Sequence, residues 1–416
     1  MSRSARRLRG IVPLLAAVVA LGLYAGAGVT SADHGGRPIG SVLACDRPGV
    51  SPPRCTSVGN NLRHFVAFDA TLTEGLASSL RDTLAEDYGP TDLTTYVQSQ
   101  RTLVTDVIAY SQDYGDNGAA GWVYCPADAP QGVNSLGDRW CKQQELHLNL
   151  NHRFSIFFDD DGSRDHVTCH ELGHTLGLRH WGNPPQSVGP AAPTCMNGNT
   201  PNGPVDLHEI DIDHINAYPY ERPPARTGPM LFAPGTATAS APDPWAPSVE
   251  AIELESFASL DEITRSSDAV VRGRIVTVAP GRVFGDRSRA PLHYAAATLR
   301  IDSLLAGELR TSDARPVTLE IPLFDGPASI ADLEATFGGE AIFFLRDKAT
   351  SARLAGAPAG EAERDAGFYR LLVFGAVVPN QGARAEATDA APSALAPLDG
   401  LPFADALRAV REVAGS

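Results

Sequence analysis

The sequence predicts an α+β half over residues 62–220 followed by a mainly β half over residues 250–416. In the first half, runs of period-two alternation interleave with runs of i, i+4 apolar spacing, as they do when strands and helices share one core. The second half holds five or six alternating runs separated by Gly, Pro and Asp turns, with one amphipathic stretch at its end. Between the halves, residues 221–249 ("ERPPARTGPMLFAPGTATASAPDPWAPSV") keep no period and read as a Pro/Ala-rich linker.

The chain opens differently. Residues 1–32 combine Arg3, Arg6, Arg7 and Arg9 with an apolar run from about Ile11 to Leu23 and a small-residue exit, Thr30-Ser31-Ala32. That layout is a secretory signal peptide; an uncleaved anchor is the rival, because the apolar stretch continues loosely to Val29. Removing the segment takes the formal charge from -15 to -19. A chain so acidic is poorly suited to nucleic acid or an anionic lipid surface, and no stable membrane association is expected once the leader is cleaved. Composition is otherwise ordinary for a globular protein, with 43% hydrophobic and 20% charged residues. Six cysteines, at 45, 55, 125, 141, 169 and 195, are an even number in an exported chain and point to disulfides.

Residues 33–61 form an N-terminal segment with a local Cys45–Cys55 disulfide expected. The first half then reads as a strand at "RHFVAF" and a helix with a Thr71–Glu74 capping box, a Leu72, Leu76, Leu80, Leu84, Tyr88 stripe and a stop at Gly89-Pro90. Strand-like "TLVTDVIAY", "GWVYC" and "ELHLNLNHRFSIFF" follow, then a second helix in "HVTCHELGHTLGLRH" and a third in "VDLHEIDIDHINAY". Past the linker, "DAVVRGRIVTV", "YAAATLRIDSLL", "PVTLEIPLF", "EAIFFLR" and "FYRLLVFGAVV" are candidate strands, and Phe403, Leu407, Val410 and Val413 line a last helix. A small barrel or sandwich is expected there.

The second helix carries the chemistry. His170 and His174 are four apart and share a helix face, so they can offer two imidazoles to one ion. A continued helix would place His180 about 9 Å beyond His174. Gly177 supplies the break, since glycine enters a left-handed turn at little cost, and the chain can swing His180 back. Three imidazoles with an open fourth position describe one catalytic zinc ion. Glu171, about 100° around the helix, reaches the open position as general base and acid for peptide hydrolysis.

His170, Glu171, His174, Gly177 and His180 together spell H-E-x-x-H-x-x-G-x-x-H, and here the chain resembles the metzincins, zinc endopeptidases with a methionine turn beneath the metal. The resemblance covers about residues 60 to 220 and is nearest the matrixin-like and snapalysin-like secreted bacterial types. It implies a two-lobed catalytic domain of twisted mixed sheet plus three helices, with the turn at "PTCMNGN" and Met196 under the site. Snapalysin-like members use Asp as third ligand where this chain has His180. Astacin-like and serralysin-like members carry Tyr two residues after the methionine, where Gly198 stands, so no tyrosine ligand is assigned. Tyr218 and Tyr220 read as helix-end packing, with oxyanion stabilisation as the alternative. The resemblance further implies a Cys169–Cys195 disulfide tying helix to turn, with Cys125–Cys141 as a local pair.

Other polar residues near the motif have competing roles. His166 lies on the same stripe and competes as a ligand, but a polar first-turn residue is the favoured reading. Asp159, Asp161, Ser163 and Asp165 alternate as in a calcium loop, yet Arg164 and His170 replace its glycine and closing glutamate; calcium is therefore not supported, and helix-capping acids are expected. His147, Asn149 and Asn151 alternate along a strand, either as a solvent-facing row or, with Asn149 and Asn151 touching substrate, as an edge strand pairing with an extended peptide. His208 and His214 read as surface. The expected function is a secreted zinc-dependent endopeptidase acting on protein or peptide. The alternative is a non-catalytic extracellular binding protein on the same scaffold.

Overall fold

The computed structural model describes residues 58–126, 129–133, 139–178, 194–196, 203–218, 220, 250–253, 257–310, 317–324, 339–373, 375–387 and 392–415. The expected leader, Cys45 and Cys55, the linker and His180 lie outside them. Among the described residues no helix is long and apolar enough to cross a membrane.

In chain order the first half contains β1 (Val58–Gly59), β2 (Arg63–Phe68), α1 (Glu74–Glu86), β3 (Thr94–Gln98), β4 (Val107–Gln112), β5 (Ala119–Tyr124), β6 (Gln131–Val133), β7 (Arg139–Cys141), β8 (Gln144–Asn149), α2 (Asp161–Thr175) and α3 (Glu209–Ala217). The main sheet is mixed, ordered β3-β2-β4-β8-β5, and ends on a sixth strand, β9 (Glu250–Glu253). β2, β3, β4 and β8 are mutually parallel, while β5 is antiparallel to β8 and β9 antiparallel to β5. β1, β6 and β7 form a small separate sheet.

The helices lie on the sheet through one apolar core. Leu76, Leu80 and Leu84 of α1 meet Val167 and Leu172 of α2, Val66, Val107 and Leu146 of the sheet, and Tyr88 beyond the helix end. The predicted capping box does not form: Thr73 is the N-cap, without a side-chain bond, and Leu72 precedes the helix. The tail of "ELHLNLNHRFSIFF" turns into a 3-10 helix, His152–Phe157, because Asn151 caps it by accepting from Arg153 N at 3.1 Å.

The second half contains α4 (Leu260–Ser266), β10 (Ala269–Phe284), β11 (Leu292–Gly307), β12 (Val317–Leu323), β13 (Ala341–Asp347), α5 (Lys348–Leu354), α6 (Ala359–Arg364), β14 (Phe368–Leu371), β15 (Val377–Gln381), β16 (Arg384–Ala385) and α7 (Phe403–Gly415). Five strands close a ring, β10-β11-β12-β14-β13 and back to β10, with β12 and β14 parallel. Of barrel and sandwich, the structure takes the closed barrel, which leaves those strands no open edge. "FYRLLVFGAVV" divides into β14 and β15, which pair one after the other along the edge of β13 opposite β10.

The two halves are packed together rather than strung apart. Trp122 of β5 meets Phe324 edge-on at 5.2 Å, and the Tyr294 hydroxyl donates to the Tyr114 carbonyl at 2.8 Å. Arg370 Nε donates to Asp116 Oδ1 at 2.8 Å, both side chains buried. β9, which the sequence reading placed at the start of the second unit, belongs to the sheet of the first.

Candidate metal centre

α2 begins where Asp160 accepts from Ser163 N at 2.8 Å, so the acidic run acts as a helix cap rather than a calcium loop. Four contacts fix the helix above the sheet. Thr83 and Thr168 hydroxyls are 3.0 Å apart, Tyr88 donates to the Cys169 carbonyl at 2.9 Å, His64 Nε2 lies 3.0 Å from Thr175 Oγ1, and Gln144 donates to the Thr175 carbonyl at 2.7 Å. His170, Glu171 and His174 are all fully buried.

The helix ends as Gly177 allows. Its φ is +95°, Gly177 N donates to the His174 carbonyl and Leu178 N to the Gly173 carbonyl, each at 3.0 Å, which is the paired-bond glycine cap. This reversal brings the Leu178 carbonyl to 2.7 Å from His174 Nδ1. His170 Nδ1 lies 2.8 Å from the Cys195 carbonyl. A carbonyl only accepts, so in each ring Nδ1 holds the proton and Nε2 keeps its lone pair in the neutral form. The two Nε2 atoms are 2.8 Å apart. Two lone pairs so aimed repel unless a cation or a shared proton lies between them, and a pair of imidazoles with carbonyl-anchored Nδ1 fits zinc. Among the described residues no cluster of three potential metal donors occurs, and the expected third, His180, lies outside them.

Cys195 is bonded to Cys169 with Cα atoms 5.9 Å apart, so the disulfide fixes the segment whose carbonyl orients His170. Cys125 and Cys141 form a second disulfide, 6.0 Å between Cα atoms. Met196 is buried against Gly173: a Cβ added at that glycine would collide with its sulfur and lie 3.0 Å from Cε. Gly121 of β5 makes room for Glu171 in the same way, since a Cβ there would stand 2.6 Å from Oε1. Neither glycine was singled out in the sequence. Both left a signal, because glycine weakens a helix or strand interior and is retained there for close approach.

Several expectations are corrected. β8 lies between β4 and β5, so His147, Asn149 and Asn151 mark neither an edge strand nor a solvent-facing row. Asn149 is buried, its amide donating to the Gly115 and Ala119 carbonyls at 2.9 and 3.1 Å and its oxygen accepting from Tyr114 N at 3.0 Å. It holds the loop before β5. Asn151 caps the 3-10 helix and donates to Asp113 at 2.9 Å. His147 is buried and stacked on Trp122 at 4.8 Å. His166 lies in the second turn, fully buried, with Nδ1 2.6 Å from the Pro204 carbonyl; burial lowers its pKa. Tyr220, by contrast, takes the expected packing role, donating to the Leu176 carbonyl at 3.3 Å and packing on Tyr218 with 4.8 Å between ring centres.

No protein-family model matches the chain. No curated protein matches it either. Among solved structures it is similar to high choriolytic enzyme 1, a hatching-enzyme zinc protease from Oryzias latipes (medaka fish), at 14% identity and a TM-score of 0.18, over 34% of this chain and 52% of that one. It is also similar to myroilysin, at 11% identity and a TM-score of 0.19, over 30% of this chain and 45% of that one. The match thus spans about half the length of each neighbour.

Proposed function

We propose that the chain is a secreted zinc-dependent endopeptidase of metzincin type. The observation that carries the proposal is the convergence of His170 and His174: Nε2 atoms 2.8 Å apart, each ring oriented by a carbonyl on Nδ1. His180, three residues after Gly177 in the sequence, is the third donor of this reading. Two disulfides suit the oxidising compartment that export implies.

Zinc bound there would polarise the scissile carbonyl and acidify the attacking water. Glu171 accepts the water's proton on its carboxylate and returns it to the leaving amine nitrogen. Gly121 leaves that carboxylate its space, and the Cys195 carbonyl keeps the His170 ring in the tautomer that presents Nε2.

The test is cleavage of a proteome-derived peptide library by the mature protein, with and without chelator, beside Glu171→Gln. The variant should retain about one zinc ion and lose activity by roughly 10²- to 10⁴-fold. Undiminished cleavage by Glu171→Gln would sink the mechanism. A parent chain that holds zinc and cuts nothing would favour the binding-protein alternative.

A further inference from the structure

On the peptidase reading an extended peptide would pair with the outer edge of β5; we infer that the chain's own Glu250–Glu253 strand fills that edge, so the site is self-blocked until β9 leaves. The inference rests on the peptidase reading for what the edge serves, though not for what occupies it. β5 has one edge on β8 and the other on β9, and α2 lies over its face, where Gly121 sits against Glu171. An open strand edge offers a peptide a row of backbone donors and acceptors, and this one passes the carboxylate proposed to move protons.

β9 takes that row. Its register pairs Val123 with Glu250, Trp122 with Ala251, Gly121 with Ile252 and Ala119 with Glu253. Position 252 therefore lies directly across from the glycine that abuts Glu171, and the occupant crosses the edge at the point of the proposed chemistry.

Two features make the strand displaceable. It is four residues long, with a register irregularity between Ala119 and Gly121. The halves are also joined elsewhere, through Arg370 and Asp116, Tyr294 and Tyr114, and Arg289 and Asp69 at 2.6 Å, so β9 can leave without parting them. A tethered strand competes at roughly millimolar effective concentration, and a dilute free peptide meets that competition before it meets the site.

The experiment compares full mature chains carrying Glu171→Gln, alone or with Ile252→Pro or the milder Ile252→Gly, using anisotropy of a labelled peptide with the sequence of residues 248–255. Melting curves confirm that each is folded. Ile252→Pro should bind the peptide at least tenfold more tightly than the Glu171→Gln parent, with Ile252→Gly between them. With Glu171 restored, KM for library peptides should fall in the same order. Equal binding by the parent and both folded variants overturns the inference and makes β9 a permanent sixth strand. Tighter binding without cleavage by any chain instead rejects the peptidase reading and leaves the edge assignment standing.

Discussion

Gly121 of β5 and Glu171 of α2 are in contact so close that one added methyl at position 121 would stand 2.6 Å from the carboxylate oxygen and 2.8 Å from Cγ. Gly121→Ala should therefore displace Glu171 while leaving the anchors of His170 and His174 intact. The expected outcome is a turnover number reduced about 10- to 100-fold, a modest loss beside removal of the base itself, with zinc content unchanged. Steady-state kinetics and metal analysis of the same preparation check it; loss of zinc and turnover together would place the defect in the metal donors.

The Cys169–Cys195 disulfide closes a loop with a sequence separation of 26 residues and holds the carbonyl that His170 uses. Replacing both cysteines with serine should cost about 3 kcal/mol of stability and weaken zinc binding. Urea denaturation gives the first quantity and chelator competition the second. Replacing Cys125 and Cys141 instead should leave zinc affinity unaltered, because the carbonyls that anchor His170 and His174 belong to Cys195 and Leu178.

His64 lies beneath the end of α2, and burial pushes its pKa down from 6.5 to about 4. The fold thus keeps the ring neutral while the unfolded chain takes up a proton below its ordinary value. Stability from this group is complete above pH 6.5 and is lost as pH falls through about 4. Between pH 7 and pH 5 the loss should be roughly 2 kcal/mol. Burial raises Asp87 and Asp106 to about 7, so their contributions run the other way, lost as pH rises. Unfolding curves of the parent and His64→Gln at both pH values isolate the histidine. The same change in stability between the two pH values in both proteins would contradict the assignment.

Arg370 and Asp116 form a buried ion pair between the halves. Burial alone would raise the Asp116 carboxyl, yet Arg370, with Lys348 and Arg153, outweighs it and holds the group below its ordinary range. Arg370→Met should cost about 3–5 kcal/mol by stranding that carboxylate, and pairing it with Asp116→Leu should recover most of the loss. Chemical denaturation of the four proteins completes a double-mutant cycle. A near-zero coupling energy would show that the halves do not depend on this contact.

How far the chain was legible follows the range of the interactions. The stripe Leu76, Leu80, Leu84 and the His170, Glu171, His174 spacing are local, set by helical periodicity, and could be read directly. Gly177 was legible because only a glycine tolerates the +95° turn that ends the helix. β3 was not, since its exposed "TTYVQ" lacks the apolar alternation that marks a strand. Thr71 had the right spacing for a cap, yet its own N–H is taken by Asp69 at 2.9 Å and the helix starts later. Asn149 looked accessible from its alternation and proved central, because alternation sorts the two faces of a strand but carries no information about its neighbours.

By itself the sequence marked the candidate donors His170 and His174, the glycine that ends their helix, and the main apolar strands and helices, because each depends on contacts within a few positions. Tertiary structure alone decided that β8 is interior, that Gly121 and Gly173 receive Glu171 and Met196, and that β9 crosses the linker to join β5. Those outcomes depend on which distant segments meet, and backbone pairing and close packing are satisfied only once the whole sheet is assembled.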